Sequence, residues 1–287
     1  MVLVFLSGKC FSQATDTLSK FEKFDKLNYT ANVQYIDGDY RNALSNFNEA
    51  IKVVPDDSPD IYFKAAAAAL QLKEDEEAKR LIIESIKTTN ATLYFFKNFD
   101  GFKAFREHKL FDEIEKEYPK YQAEFFKNLE NPEIYIEIQR MIKGERAIKK
   151  TEGNYHDIQP IYRLIEITKQ YGWQELGWSI LWQESGTYGQ NNEVWNFFKP
   201  YIDNEIKYGK VRKSFWAIFD DAASIDKNKT QLYGLFWSQL DEFPIMDIKN
   251  VDERLKSVGL PPLWYMEKVV GLKLPEAYKG SPETSGL

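Results

Sequence analysis

Apolar residues recur at steps of three and four along most of the chain, the period of a helix buried on one face. After Gly38-Asp39, the positions Tyr40, Ala43, Leu44, Phe47 and Ala50 follow it, and Pro55 closes the segment. A second run holds Tyr62, Ala65, Ala66 and Ala69, then Ala78, Ile82 and Ser85. Gly38 reads as a helix stop. Ser58-Pro59 reads as a start, with serine capping and proline in the first turn. Residues 92–128 open on Leu93-Tyr94-Phe95-Phe96 and predict a third, divergent helical pair that caps the stack.

Beyond a boundary at Asn128-Leu129-Glu130-Asn131-Pro132 the period stays helical. Ile158, Ile161, Ile165 and Thr168 run to a stop at Gly172, and Val211, Phe215, Ile218, Ala222 and Ile225 repeat the pattern. Val194, Phe197, Phe198 and Tyr201 do so too, with Pro200 expected to kink or end that helix. The exception is Thr230 to Phe236, polar at one end, aromatic at the other, with Gly234 inside. It predicts a turn or short strand, with Phe243-Pro244-Ile245-Met246 as the candidate partner strand. Helix resumes near Asn250 and stops at Gly259-Leu260-Pro261-Pro262, and apolar content falls after Gly271.

The alanines at 43 and 78 stand 35 residues apart, close to the ~34-residue period of a two-helix repeat. Ala31 and Ala66 fill the corresponding place in the first helices, where a large side chain would push crossing helices apart. Residues 24–90 therefore predict four antiparallel helices, and they resemble the tetratricopeptide repeat family. The second unit departs from it, with Lys73 where glycine is usual and Asn90 where proline is usual. The resemblance implies a concave groove for a protein or peptide partner, with Asp25, Asn28, Asn32 and Tyr35 on the inner face of the first unit. On the second unit it places Asp60, Phe63, Ala67 and Leu70 there. Those positions carry no Lys or Arg, which argues against a clamp on a peptide carboxylate. The alternative is that so short an array serves as a scaffold docked on its own second half.

Residues 133–268 resemble a bacterial helical domain of unknown function. The resemblance rests on Lys169-Gln170-Tyr171-Gly172-Trp173, Trp182-Gln183, Lys229 to Gly234, Asn250-Val251-Asp252-Glu253-Arg254 and Val258 to Leu263. The Gln-Leu-Tyr-Gly and Val-Gly-Leu-Pro-Pro-Leu pieces are its most specific parts. Matching positions are Arg146, Asp157, Arg163, Gln183, Asp220, Gln231 and Tyr233, which become candidates for one cleft. The chain departs from that pattern at Glu184, Asp221 and Leu235-Phe236, where the family has histidine, arginine and Thr-Gln. A hydrolase-like or glycan-binding activity, degenerate here, is the alternative function this implies.

Composition narrows the chemistry. The 287 residues are 43% apolar and 29% charged, with 38 Lys and Arg against 44 Asp and Glu. A net charge of −6 argues against nucleic-acid binding, which asks for a basic face. One cysteine and two separated histidines leave no ordinary zinc site, and no phosphate-cradling glycine loop is present; neither metal nor cofactor is expected. No segment has the ~18 consecutive apolar residues of a membrane span. Val2 to Leu6 is an apolar run followed by Ser12-Gln13-Ala14, which predicts a signal peptide over residues 1–13 and export to the periplasm; a cytoplasmic chain is the alternative if Met1 is the true start. All seven tryptophans lie between 173 and 264. They read as core rather than a ligand surface, with Trp178 and Trp182 facing one way and Trp173 and Trp237 the candidates for exposure. Glu184, Asp220, Asp221 and Asp252 offer carboxylates without diagnostic spacing. The sequence thus predicts an all-α chain. A tetratricopeptide-like array over 14–128 precedes an aromatic-rich helical domain over 129–270, with one small β element near 230–247 and a flexible tail over 271–287. The expected function is a binding or scaffold protein with a protein or peptide partner.

Overall fold

A computed structural model describes residues 18–152, 157–281 and 287, with side chains left out of account over 145–152. The fold is all-α, and among the described residues there is no strand, only an isolated bridge. The segment expected as a signal peptide lies outside the described residues.

The first half is a linear stack. Its helices are α1 (Lys20–Ile36), α2 (Tyr40–Val53), α3 (Pro59–Gln71) and α4 (Asp75–Thr89), then the short α5 (Leu93–Asn98), a 3-10 turn at Asp100–Phe105, and α6 (Lys109–Asn128). α1 packs on α2, α2 on α3, α3 on α4 and α4 on α6. Ala31, Ala43, Ala66 and Ala78 are all fully buried, so the offset read from the sequence is the packing register. Ser19 and Glu22 form a reciprocal capping box on α1, and Ser58 Oγ accepts from the Asp60 amide at the start of α3. Two non-glycine residues of the stack take left-handed backbone: Lys73 sits at φ 60° and Asn90 at φ 53°. Left-handed backbone disfavours a side chain with Cβ. Lys73→Gly is therefore expected to raise stability by about 0.5–1 kcal/mol, read as a higher melting temperature; a lowered one contradicts this.

The second half comprises α7 (Pro132–Glu152), α8 (Gln159–Tyr171), α9 (Trp178–Gln183), α10 (Glu193–Lys207), α11 (Ala217–Asn228), α12 (Val251–Ser257) and α13 (Leu263–Tyr265), the last running into a π-turn at Met266–Val270. It has two cores. The larger joins Ile138, Leu164, Ile180, Phe198 and Phe219. The smaller joins Ile245, Val251, Leu255 and Leu263. Pro200 does not end α10, which continues to Lys207. The carbonyl it deprives of a donor belongs to Asn196, and both residues are exposed, where water can replace the lost bond. The expectation of a flexible tail also fails over its first part. Leu274 and Tyr278 pack on the smaller core, and the Tyr278 hydroxyl donates to Asp252 Oδ2 at 2.7 Å.

Candidate functional site

The stretch that breaks the helical period is held by side chains from three directions. Gln231 is fully buried and pairs with Ile245 in a parallel bridge, the partner stretch expected. Its side-chain amide donates to the carbonyls of Phe236 and Phe243 at 3.1 and 3.0 Å. Its Oε1 accepts from the Phe236 amide at 2.8 Å. Asp221, also fully buried, reaches from α11 and accepts from the amides of Leu232, Tyr233 and Leu235, the last two at 2.8 Å. Arg254 on α12 closes the other side, donating to the carbonyls of Leu232, Met246 and Asp247. Gly234 holds φ +78°, and a Cβ there would lie 2.6 Å from Ile245 Cδ1. Burial pushes the Asp221 carboxyl above its ordinary range, and the three amides pull it back down.

The other candidates divide. Asp220 accepts from the Tyr188 hydroxyl at 2.9 Å, and burial pushes its carboxyl up. Tyr233 stands in the fields of Asp220 and Asp221, which add to burial in raising its hydroxyl. These two and Gln231 belong to one neighbourhood. Arg163 does not join them: it is paired with Glu137 at 2.6 Å and Glu166 at 2.8 Å on the surface. Asp157 caps the start of α8 by accepting from the Gln159 amide. Gln183 donates to the Ser179 carbonyl at 3.3 Å. Arg146 lies in α7 among the side chains not described. Of the six family-like positions whose side chains are described, Asp220, Gln231 and Tyr233 lie together, while Arg163, Asp157 and Gln183 are engaged elsewhere. Asp252, another carboxylate considered, accepts from the Leu263 amide and the Tyr278 hydroxyl.

The tryptophans are mostly core. Trp195, Trp216 and Trp264 are buried. Trp178 and Trp182 stack at 5.5 Å with planes 6° apart. Trp173 is half-buried against Phe198 and Phe215. Trp237 is 39% exposed, as is Met246 on the same loop.

The face of α1 expected as a groove is engaged by the second half. Tyr265 meets Tyr29 edge-on with ring centroids 5.1 Å apart. Asn32 is buried and donates to Asn28 Oδ1 and to the Asn28 carbonyl. Tyr35 packs on Tyr40 within the array. Phe63 is enclosed by Phe95, Phe96, Phe99 and Phe102, and Asp60 pairs with Lys64. Arg212, ahead of α11, sets its guanidinium 4.6 Å over the Phe21 ring and bonds Asp25 at 3.1 Å and Asp57. Lys213–Glu22 and Lys268–Asp37 complete the junction. No local signal marks Arg212, Tyr29 or Tyr265 as junction residues, because Asp25 and Arg212 lie 187 positions apart.

Burial pushes the Asp25 carboxyl up from 3.8 to about 6, outweighing its attraction to Arg212. A carboxyl raised on folding contributes stability that is complete below pH 3.8 and lost as pH rises through about 6. Between those values the wild type is expected to lose up to about 3 kcal/mol relative to Asp25→Asn. Urea titrations of both proteins across that window measure it; parallel curves contradict it.

Among the described residues no group of His, Cys, Asp and Glu is placed to hold a metal ion, and no helix is long and apolar enough to cross a membrane. His108 caps α6 and faces Asp75 at 3.1 Å. Comparison with known proteins finds no match to a family model, a curated protein or a solved structure.

Proposed function

We propose that the chain is a binding and scaffold protein, in which a tetratricopeptide-like array frames a second half that engages a protein or peptide partner. The reading rests on how the second half spends its polar groups. Asp221, Gln231 and Arg254 are all committed to fixing one loop, while that loop leaves Trp237 and Met246 in solvent. Large apolar side chains on rigid, irregular backbone make a recognition surface. The array's own inner face supports the same division, because Tyr265 and Arg212 already cover part of it.

Photo-crosslinking residues placed singly at 237, 246, 28 and 35 in living cells test the proposal. A protein partner captured from 237 or 246, and not from 28 or 35, is expected. Capture from 28 or 35 alone overturns it. The export expected from Val2 to Ala14 belongs to the same proposal: fractionation and N-terminal sequencing should find a mature protein outside the cytoplasm that begins near Ala14, and a cytosolic protein beginning at Met1 contradicts it.

A further inference from the structure

Between α1 and the smaller core lies a cavity of about 190 Å³. Tyr29 forms its array side, and Tyr233, Trp237, Tyr265 and Met266 form much of the rest. Among the described residues, no Asp, Glu, Lys, Arg or His lines it. Its walls are held by bonds that need no occupant. Asp221 grips the backbone on both sides of Gly234. Ile245 packs so close to Gly234 that the loop has no room to shift inward. Tyr265 is buried and packs edge-on against Tyr29. The cavity opens partly to solvent, and its apolar lining is left for a guest to cover.

Size and chemistry select the guest. An apolar cavity of about 150 Å³ accepts benzene, so this one suits a single ring with a small substituent or a fused bicycle. The absence of charged lining makes an ionised ligand costly. Tyrosine and tryptophan rings and the Met266 sulfur favour an aromatic guest.

We infer that this junction cavity is a binding site for a small, uncharged aromatic molecule about the size of indole. The site needs both halves of the chain, since α1 supplies Tyr29. It shares Trp237 with the partner surface proposed above but needs no partner to form.

Calorimetric titration of the full chain with indole, ethylbenzene and indole-3-acetate tests the inference. The two neutral ligands should bind one-to-one with Kd on the order of 0.1 mM, and the anion at least about tenfold more weakly. Nuclear Overhauser contacts from bound indole to the Met266 methyl should locate it without any variant. The filling substitutions Leu260→Trp and Met266→Phe, checked for helix content, should each weaken binding about tenfold or more. Absence of saturable binding of either neutral ligand overturns the inference. So does equal affinity in a folded filled variant, or contact with residues away from the cavity.

Discussion

Replacing Asp221 with alanine is expected to lower stability by about 3–5 kcal/mol, since three buried amides lose their acceptor at once. The residue is fully buried on α11, and its two oxygens serve the amides of Leu232, Tyr233 and Leu235. Asp221→Asn should fall between the two, because one oxygen remains an acceptor while the amide nitrogen faces a donor. Equilibrium urea unfolding measures both. A loss within about 0.5 kcal/mol for the alanine variant, the range of an ordinary surface substitution, would show that the loop is not held in this way. The loss should appear without any change in the array's own packing, because Ala43, Ala66 and Ala78 belong to a separate core.

Arg212→Leu is the second large effect, about 2–4 kcal/mol at pH 8. The guanidinium side chain is 30% exposed and its partners Asp25 and Asp57 are 14% and 15% exposed, so the cost is below that of a dry pair. Removing it leaves two carboxylates facing each other at the junction, together with the uncovered faces of Phe21 and Phe24. The sign of the pH dependence follows. Asp25 already holds its proton to about pH 6, and without the guanidinium it holds it longer, so the variant should lose less at pH 5 than at pH 8. Adding Asp25→Asn should recover part of the loss at pH 8, a coupling that a double-mutant cycle reads directly. An equal loss at both pH values, with no recovery, would show that the ion pair is peripheral.

The local features were legible in the sequence because local chemistry causes them. The 35-residue offset of Ala43 and Ala78 reports helix crossings, and a small residue there is required wherever helices meet closely. Ser58-Pro59 starts a helix by its own hydrogen bond. The loop at Gln231-Leu232-Tyr233-Gly234 and its partner at Ile245 stood out because they interrupt a period. What a carboxylate accepts from was not legible. Asp220 and Asp221 are adjacent in sequence, yet one accepts from a tyrosine hydroxyl and the other from backbone amides. Nor could composition show that Arg163 turns outward to Glu137. The junction was least legible of all, since Arg212 and Tyr265 find their partners across most of the chain's length. That α10 runs on past Pro200 was not legible for a related reason: it depends on whether water can reach the carbonyl left without a donor.

The central claim is that the array is an internal frame rather than a free module. The distribution of tryptophan offers a direct test, because all seven lie in the second half while helices fill both halves. Urea unfolding of the full chain, followed in parallel by tryptophan fluorescence and far-ultraviolet circular dichroism, compares the two halves in one sample. Halves joined through Arg212, Tyr265 and Lys268 should unfold together, with coincident midpoints. A circular dichroism curve in two steps, only one of them matched by fluorescence, would mean that the array unfolds on its own and would contradict the account.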